Sequence, residues 1–233
     1  MVIVQHPSQP NPNEPRNFER TVTFGKRRDA GTGFMAYSER IGPGVLVLHE
    51  AYGLSDSFKQ LAIDLRNEGF TVLAPDLFNG TVTTELDVAR TLASAMDRER
   101  TLLKLRAAAA FLVDNWHPRV GVLGFSMGAG QAADLAQSYP VEATVLYYGA
   151  ADLPIGRWNG PVLAHYAQED DLLPLEVTRA FTGALEDGGV DLDAYLYPAG
   201  HSFANREIPG AFQEELAAEA WERTVDFLRY HLA

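Results

Sequence analysis

An α/β fold, with a mostly parallel central sheet and helices on both of its faces, is what this chain predicts. Three observations carry that expectation. Short continuous apolar runs such as Val45-Leu-Val-Leu48 read as strands covered on both sides. These runs alternate with helical patterns of 10–19 residues, the rhythm that builds a parallel sheet. Finally, 233 residues of which 46% are hydrophobic furnish one sizeable core, and no repeat, linker or composition break divides them.

Residues 6–15 carry four prolines and no periodicity, so residues 1–19 read as an extended arm ahead of a single domain at 20–233. Arg20–Phe24 and Phe34–Tyr37 suggest two antiparallel strands, with Gly31-Thr-Gly33 near their turn. After Val45–Leu48, Ser55–Asn67 forms a helix with Phe58, Leu61, Ala62 and Leu65 on one face and Gly69 closing it. Phe70–Ala74 is the next strand, 79–97 a loop with a short helix, and Arg98–Trp116 a longer helix. Its stripe is Leu102, Leu105, Ala109, Leu112 and Trp116. A strand from Val120 and a helix over Gly128–Ser138 follow. Then come strands at Glu142–Tyr148 and Pro161–Tyr166, a helix at Leu175–Glu186, a strand at Leu192–Tyr197 and a closing helix at Phe212–His231.

Composition excludes several classes of function. A net charge of −12 argues against nucleic acid and anionic membrane as partners, since phosphate contacts need clustered Lys and Arg. No segment reaches the ~18 apolar residues of a membrane span, and Met1–Glu14 lacks a basic region followed by an apolar core; a cytoplasmic location is therefore expected. The absence of cysteine excludes disulfides, thiolate metal sites and cysteine nucleophiles.

The chemistry gathers around Gly124-Phe125-Ser126-Met127-Gly128, where an apolar strand turns directly into a small-residue helix. That layout is a nucleophile elbow, with glycines where neighbouring backbone crowds the turn. It lifts the Ser126 hydroxyl out of the sheet and aims the Met127 N–H at the place where an oxyanion would form. The pentapeptide alone is weak in a chain with 20 glycines. A serine also needs a base, and the base an acid, both from loops at the carboxyl ends of strands. Pro161–Tyr166 is followed by Ala-Gln-Glu169-Asp170-Asp171, and Leu192–Tyr197 by Pro-Ala-Gly-His201. Among six histidines, only His201 follows a strand after the acid, which favours it as the base over a surface histidine in a glycine-rich turn. Asp170 is favoured as the acid. Asp171 suits the cap of the following helix, although the two are able to exchange roles.

His49-Glu50-Ala51-Tyr52-Gly53, directly after the first buried strand, is not the zinc motif H-E-x-x-H, because its fifth residue is Gly53. The Ala51 N–H is the candidate second oxyanion donor. Glu50 is either a site residue or a carboxylate satisfied by local backbone or an arginine. Tyr52, Phe78, Tyr148, Trp158 and Phe203 are candidates to line an apolar pocket, though core positions would suit most of them.

Five segments in order, Val-Leu-His-Glu50-Ala-Tyr-Gly, Leu-Ala-Pro-Asp76-Leu-Phe, Gly-Phe-Ser126-Met-Gly, Gln-Glu-Asp170-Asp-Leu-Leu-Pro174 and Pro-Ala-Gly-His201-Ser-Phe-Ala, resemble the dienelactone hydrolase family of α/β-hydrolases. The resemblance runs from about Val45 to Leu228. It implies an α/β-hydrolase fold without a large cap domain, a triad of Ser126, Asp170 and His201, and an oxyanion hole from Ala51 and Met127. Glu50 is implied to lie near the nucleophile. It implies no metal and no organic cofactor, and a small-molecule ester or lactone as substrate, with the protein a monomer or small homo-oligomer. The chain departs from the family at three places. Ser126 stands where the best-known members have cysteine. Gly80 and Asn205 stand where they have two arginines that grip a substrate carboxylate, with Arg206 one residue further on. The arm has no counterpart. An acyltransferase would use the same acyl-enzyme, and a binding protein the same scaffold.

Overall fold

A computed structural model describes residues 16–152, 154–208 and 210–233. Its eight strands are β1 (Asn17–Phe24), β2 (Gly31–Ser38), β3 (Gly44–Leu48), β4 (Thr71–Pro75), β5 (Val120–Phe125), β6 (Ala143–Tyr147), β7 (Val162–Glu169) and β8 (Leu192–Gly200). They form one sheet in the order β1-β2-β4-β3-β5-β6-β7-β8. β2 runs antiparallel to β1 and β4, and every pairing from β4 to β8 is parallel. The helices are α1 (Asp56–Asn67), α2 (Leu86–Ser94), α3 (Arg98–Asn115), α4 (Met127–Ala136), α5 (Leu175–Asp187) and α6 (Glu214–Leu232).

The continuous apolar runs have the cause expected of them. Every residue of β3, β4, β5 and β6 is buried, because helices cover both faces of the sheet's centre. Alternate side chains serve opposite layers. Leu46, Leu48 and Val122 pack with α3, α4 and α5, whereas Val45, Val47 and Phe125 pack with α1 and α6. On α3, Leu105, Ala109 and Leu112 are fully buried, and Leu102 and Trp116 lie half-buried at the ends of the stripe.

The N-terminal hairpin differs from expectation. β1 begins at Asn17, because its pairing with β2 runs out to Asn17 opposite Ser38. Residues 17–19 are therefore strand, and the rest of the expected arm, residues 1–15, lies outside the described residues. Gly31 and Gly33 sit inside β2, and the turn falls earlier, at Gly25 (φ +69°) and a single 3-10 turn at Arg27–Asp29. Gly31 makes room for a ring: a Cβ there would meet Phe24 Cζ at 2.6 Å.

α6 is fastened to the sheet by buried polar groups as well as by apolar packing. His165 on β7 has Nδ1 3.0 Å from Tyr197 Oη and Nε2 3.1 Å from Thr224 Oγ1, and Thr224 Oγ1 lies 2.7 Å from Tyr147 Oη. Burial, assisted by Arg223, pulls the His165 pKa down to about 3. Between that value and about 6.5 the unfolded chain binds a proton that the native state refuses. The contribution of neutral His165 is thus complete above pH 6.5 and is lost as pH falls toward 3. We expect the stability difference between the native protein and His165→Gln, from urea midpoints, to narrow by about 2 kcal/mol between pH 7.5 and 5. An unchanged difference would show that His165 is not held neutral.

Candidate active site

Strand register brings the chemistry together. Leu48 lies opposite Gly124, Phe125 opposite Tyr147 and Tyr147 opposite His165, so β3, β5 and β6 end nearly flush. β7 and β8 continue further, with Glu169 opposite Gly200. The next residues, Asp170 and His201, therefore emerge side by side beyond the sheet's edge. Both strands are longer than the alternation of residues predicts, and that extra length brings the pair to the serine.

Ser126 turns from β5 into α4 with φ +51° and ψ −116°, a conformation costing about 1–3 kcal/mol outside glycine. Its N–H donates to the Tyr147 carbonyl at 2.9 Å, so the neighbouring strand holds the turn. A Cβ on Gly124 would run into the Gly128 carbonyl, and one on Gly128 would strike the Leu48 carbonyl. Both glycines are thus required by close approach, and the second lets the first turn of α4 lie against the end of β3. That contact sets the start of α4, whose first N–H groups have no acceptor within the helix, against the Leu48 and His49 carbonyls just ahead of Ala51.

The Ser126 hydroxyl lies 2.7 Å from His201 Nε2, and His201 Nδ1 lies 2.7 Å from Asp170 Oδ2. An aspartate accepts, so Nδ1 carries the hydrogen and Nε2 is free to take one from the serine. The His201 side chain is 15% exposed and that of Asp170 1%, which leaves the base reachable and shields the acid. Asp170 Oδ1 accepts two further bonds, from Leu172 N–H at 2.9 Å and Leu173 N–H at 2.8 Å. Asp171 is exposed and does not cap the next helix; Pro174 occupies the N-cap position of α5. Glu169 is exposed at the end of β7.

Glu50 is buried and held by side chains from distant loops. Tyr148 O–H donates to Oε1 at 2.7 Å, and Asn205 Nδ2 and Ser202 O–H donate to Oε2 at 3.0 and 3.3 Å. Neither local backbone nor an arginine is among these partners. Burial pushes its carboxyl pKa up, against the pull of those three donors and of His201. Tyr148 (φ +38°) and Ser202 (φ +62°) both adopt left-handed backbone to reach it.

The pocket candidates separate. The Tyr148 ring stands 5.0 Å from that of His201, and Tyr52 is half-buried on the loop after β3. Phe78 is buried edge-on to His49, behind that loop. Phe203 is wholly buried among Tyr147, Tyr148 and Tyr197, so it is core. Trp158 is misplaced by the sequence reading: with Gly160, Pro161, Val190 and Asp191 it lines a cavity of about 530 Å³ where β7 and β8 begin. That is the opposite edge of the sheet. Gly80 binds Asp76 through its N–H, Asn205 is committed to Glu50, and the Arg206 guanidinium stands 5.7 Å over the Phe212 ring. Sequence reasoning passed over His49, which is fully buried beside the site; its place directly before Glu50 was the available signal.

No helix among the described residues is long and apolar enough to cross a membrane, and these residues hold no cluster of three His, Asp or Glu side chains suited to a metal. The family model for the dienelactone hydrolase family matches residues 32–232. A carboxymethylenebutenolidase of Pseudomonas sp. (strain P51) is 28% identical, covering 81% of this chain and 84% of its own. The carboxymethylenebutenolidase of Rhodococcus opacus is 26% identical over 91% of this chain and 92% of its own. Among solved structures, the dienelactone hydrolase-like promiscuous phosphotriesterase P91 from metagenomic libraries superposes with a TM-score of 0.83 at 23% identity, over 93% of this chain and 99% of its own.

Proposed function

The chain belongs to the dienelactone hydrolase family, hydrolases of ester and lactone bonds, and from that premise we propose that it works through an acyl-enzyme on Ser126. The observation that carries the proposal is the chain of two 2.7 Å contacts from Ser126 through His201 to Asp170. His201 Nε2 takes the hydroxyl proton as Oγ attacks the carbonyl carbon. Asp170 holds the imidazole in the required tautomer and stabilises its charged form. The Ala51 and Met127 N–H groups receive the tetrahedral oxyanion, an effect of about 3–4 kcal/mol per donor where one has been removed. His201 then returns the proton to the leaving alkoxide, and water attacks the acyl-enzyme by the same route in reverse.

The surroundings favour an uncharged substrate. The two positions that would supply arginines to a substrate carboxylate hold Gly80 and Asn205, and the Asn205 amide is already spent on Glu50. A buried acidic group stands close by, and the net charge of −12 repels anions from a distance. Glu50, with both oxygens occupied, serves as a tie between the loops after β3, β6 and β8 rather than as a proton carrier. Paired assays test this reading. We expect kcat/KM for a neutral lactone or short-chain ester to exceed that for a carboxylate-bearing lactone of the same ring by about tenfold or more. Faster cleavage of the anionic lactone would remove the neutral-substrate reading, and cleavage of neither would remove the activity.

A further inference from the structure

The Ala51 N–H belongs to a peptide unit that is held from its other end. The carbonyl of Glu50 and the N–H of Ala51 share one plane and point in opposite directions, so whatever fixes the carbonyl also aims the N–H. Two donors fix it: His49 Nδ1–H at 2.7 Å and Gly53 N–H at 3.1 Å. His49 is itself fixed. Leu77 N–H, just past β4, donates to its Nε2 at 3.2 Å, and the rings of Phe58 and Phe78 stand edge-on to the imidazole. Because a backbone N–H only donates, Nε2 must be the bare nitrogen and Nδ1 the protonated one. Burial lowers the His49 pKa, outweighing the Glu50 carbonyl and Asp76, so the imidazole remains neutral.

We propose that His49 is a positioning residue for the oxyanion hole: its Nδ1–H holds the Glu50 carbonyl so that the Ala51 N–H already faces the acyl oxygen, and the Leu77 N–H fixes the tautomer that keeps that hydrogen on Nδ1. The inference rests on the reading of Ser126 and Ala51 given above. Its physical content is preorganisation: a donor held in place beforehand costs no reorganisation when charge develops, whereas an untethered peptide must turn at that moment. The consequence falls on the transition state, and ground-state binding is left nearly untouched.

The test compares two substitutions. His49→Phe keeps a ring but loses both hydrogen bonds, and His49→Asn keeps an N–H at the place of Nδ1. With a neutral ester, His49→Phe is expected to lower kcat by about ten- to a hundredfold with KM within about threefold, and His49→Asn to retain at least about a third of kcat. A trifluoromethyl ketone reads the hole directly. Ser126 Oγ bonds to its carbonyl carbon, the C=O π pair moves onto oxygen as the oxyanion, and the serine proton passes to His201. The affinity of this ketone should fall in His49→Phe by the same factor as kcat/KM. Should that variant not fold, His49→Gln, whose Oε1 can still accept from Leu77 N–H, takes its place in the same comparison. A folded His49→Phe protein (or the His49→Gln protein in its place) with kcat within twofold of the native protein, or with kcat lost and ketone affinity unchanged, overturns the proposal. A native protein that neither cleaves the ester nor binds the ketone overturns instead the reading of Ser126 on which it rests.

Discussion

Replacement of Ser126 by alanine is expected to lower kcat/KM toward nitrophenyl acetate by about five orders of magnitude or more, with the thermal unfolding midpoint kept or raised. The two halves of this expectation have separate causes. In the proposed mechanism the hydroxyl forms the acyl bond, and loss of the nucleophile from such a triad costs about 10⁶ in kcat where measured, leaving only the oxyanion hole and binding. Stability is retained because the turn is held by backbone. The Ser126 N–H bond to Tyr147 and the bonds from Ala129 and Gly130 N–H to the Ser126 carbonyl all survive the change. The lost contact, to His201, leaves an imidazole that is still held by Asp170 and keeps a 15% exposed edge toward solvent. A fluorophosphonate should add its mass to the Ser126 peptide of the native protein and leave the alanine variant unlabelled. Hydrolysis within tenfold of native in a folded Ser126→Ala protein would remove this residue from the mechanism.

The parts of the fold that the residues announce are those decided by local physics. β3 to β7 are legible because strands covered on both faces carry continuous apolar runs, and the order Ser126, Asp170, His201 is legible because each comes just past a segment of strand character. What escaped is decided by partners far away in the chain. The hairpin turn lies at residues 25–30 because Gly31 is needed beneath Phe24, and nothing in the glycine itself distinguishes a tight turn from a close approach. β7 and β8 each extend past their apolar cores because they pair with one another out to Glu169 and Gly200, which alternation within either strand cannot report. Trp158 and Phe203, both candidates for an apolar pocket on residue type, part company in the fold: one lies before its strand, at the opposite edge, and the other is drawn inward by Tyr147, Tyr148 and Tyr197. Glu50 is the clearest case. Its partners at 148, 202 and 205 are 98, 152 and 155 residues away, so its environment exists only after folding.

The choice between neighbouring acids, left open by the residues, has a sharp consequence. Asp170→Asn is expected to lower kcat by about 10⁴-fold, and Asp171→Asn by less than about threefold. The reason lies in which atom of the new amide faces the histidine. Asp170 Oδ1 accepts from the Leu172 and Leu173 N–H groups, so in asparagine those two donors claim the amide oxygen. The NH₂ group is then left facing His201 Nδ1. Nδ1 must become the acceptor, the ring proton moves to Nε2, and Nε2 can no longer take the serine proton. Asp171, exposed and one residue further on, has no such hold on the imidazole. Steady-state kinetics of the two variants, with unfolding midpoints as a control, decide the matter: a larger loss at 171 would transfer the acid's role there. Equal small losses would mean that His201 keeps its tautomer without Asp170, and the catalytic account built on that pair would fail.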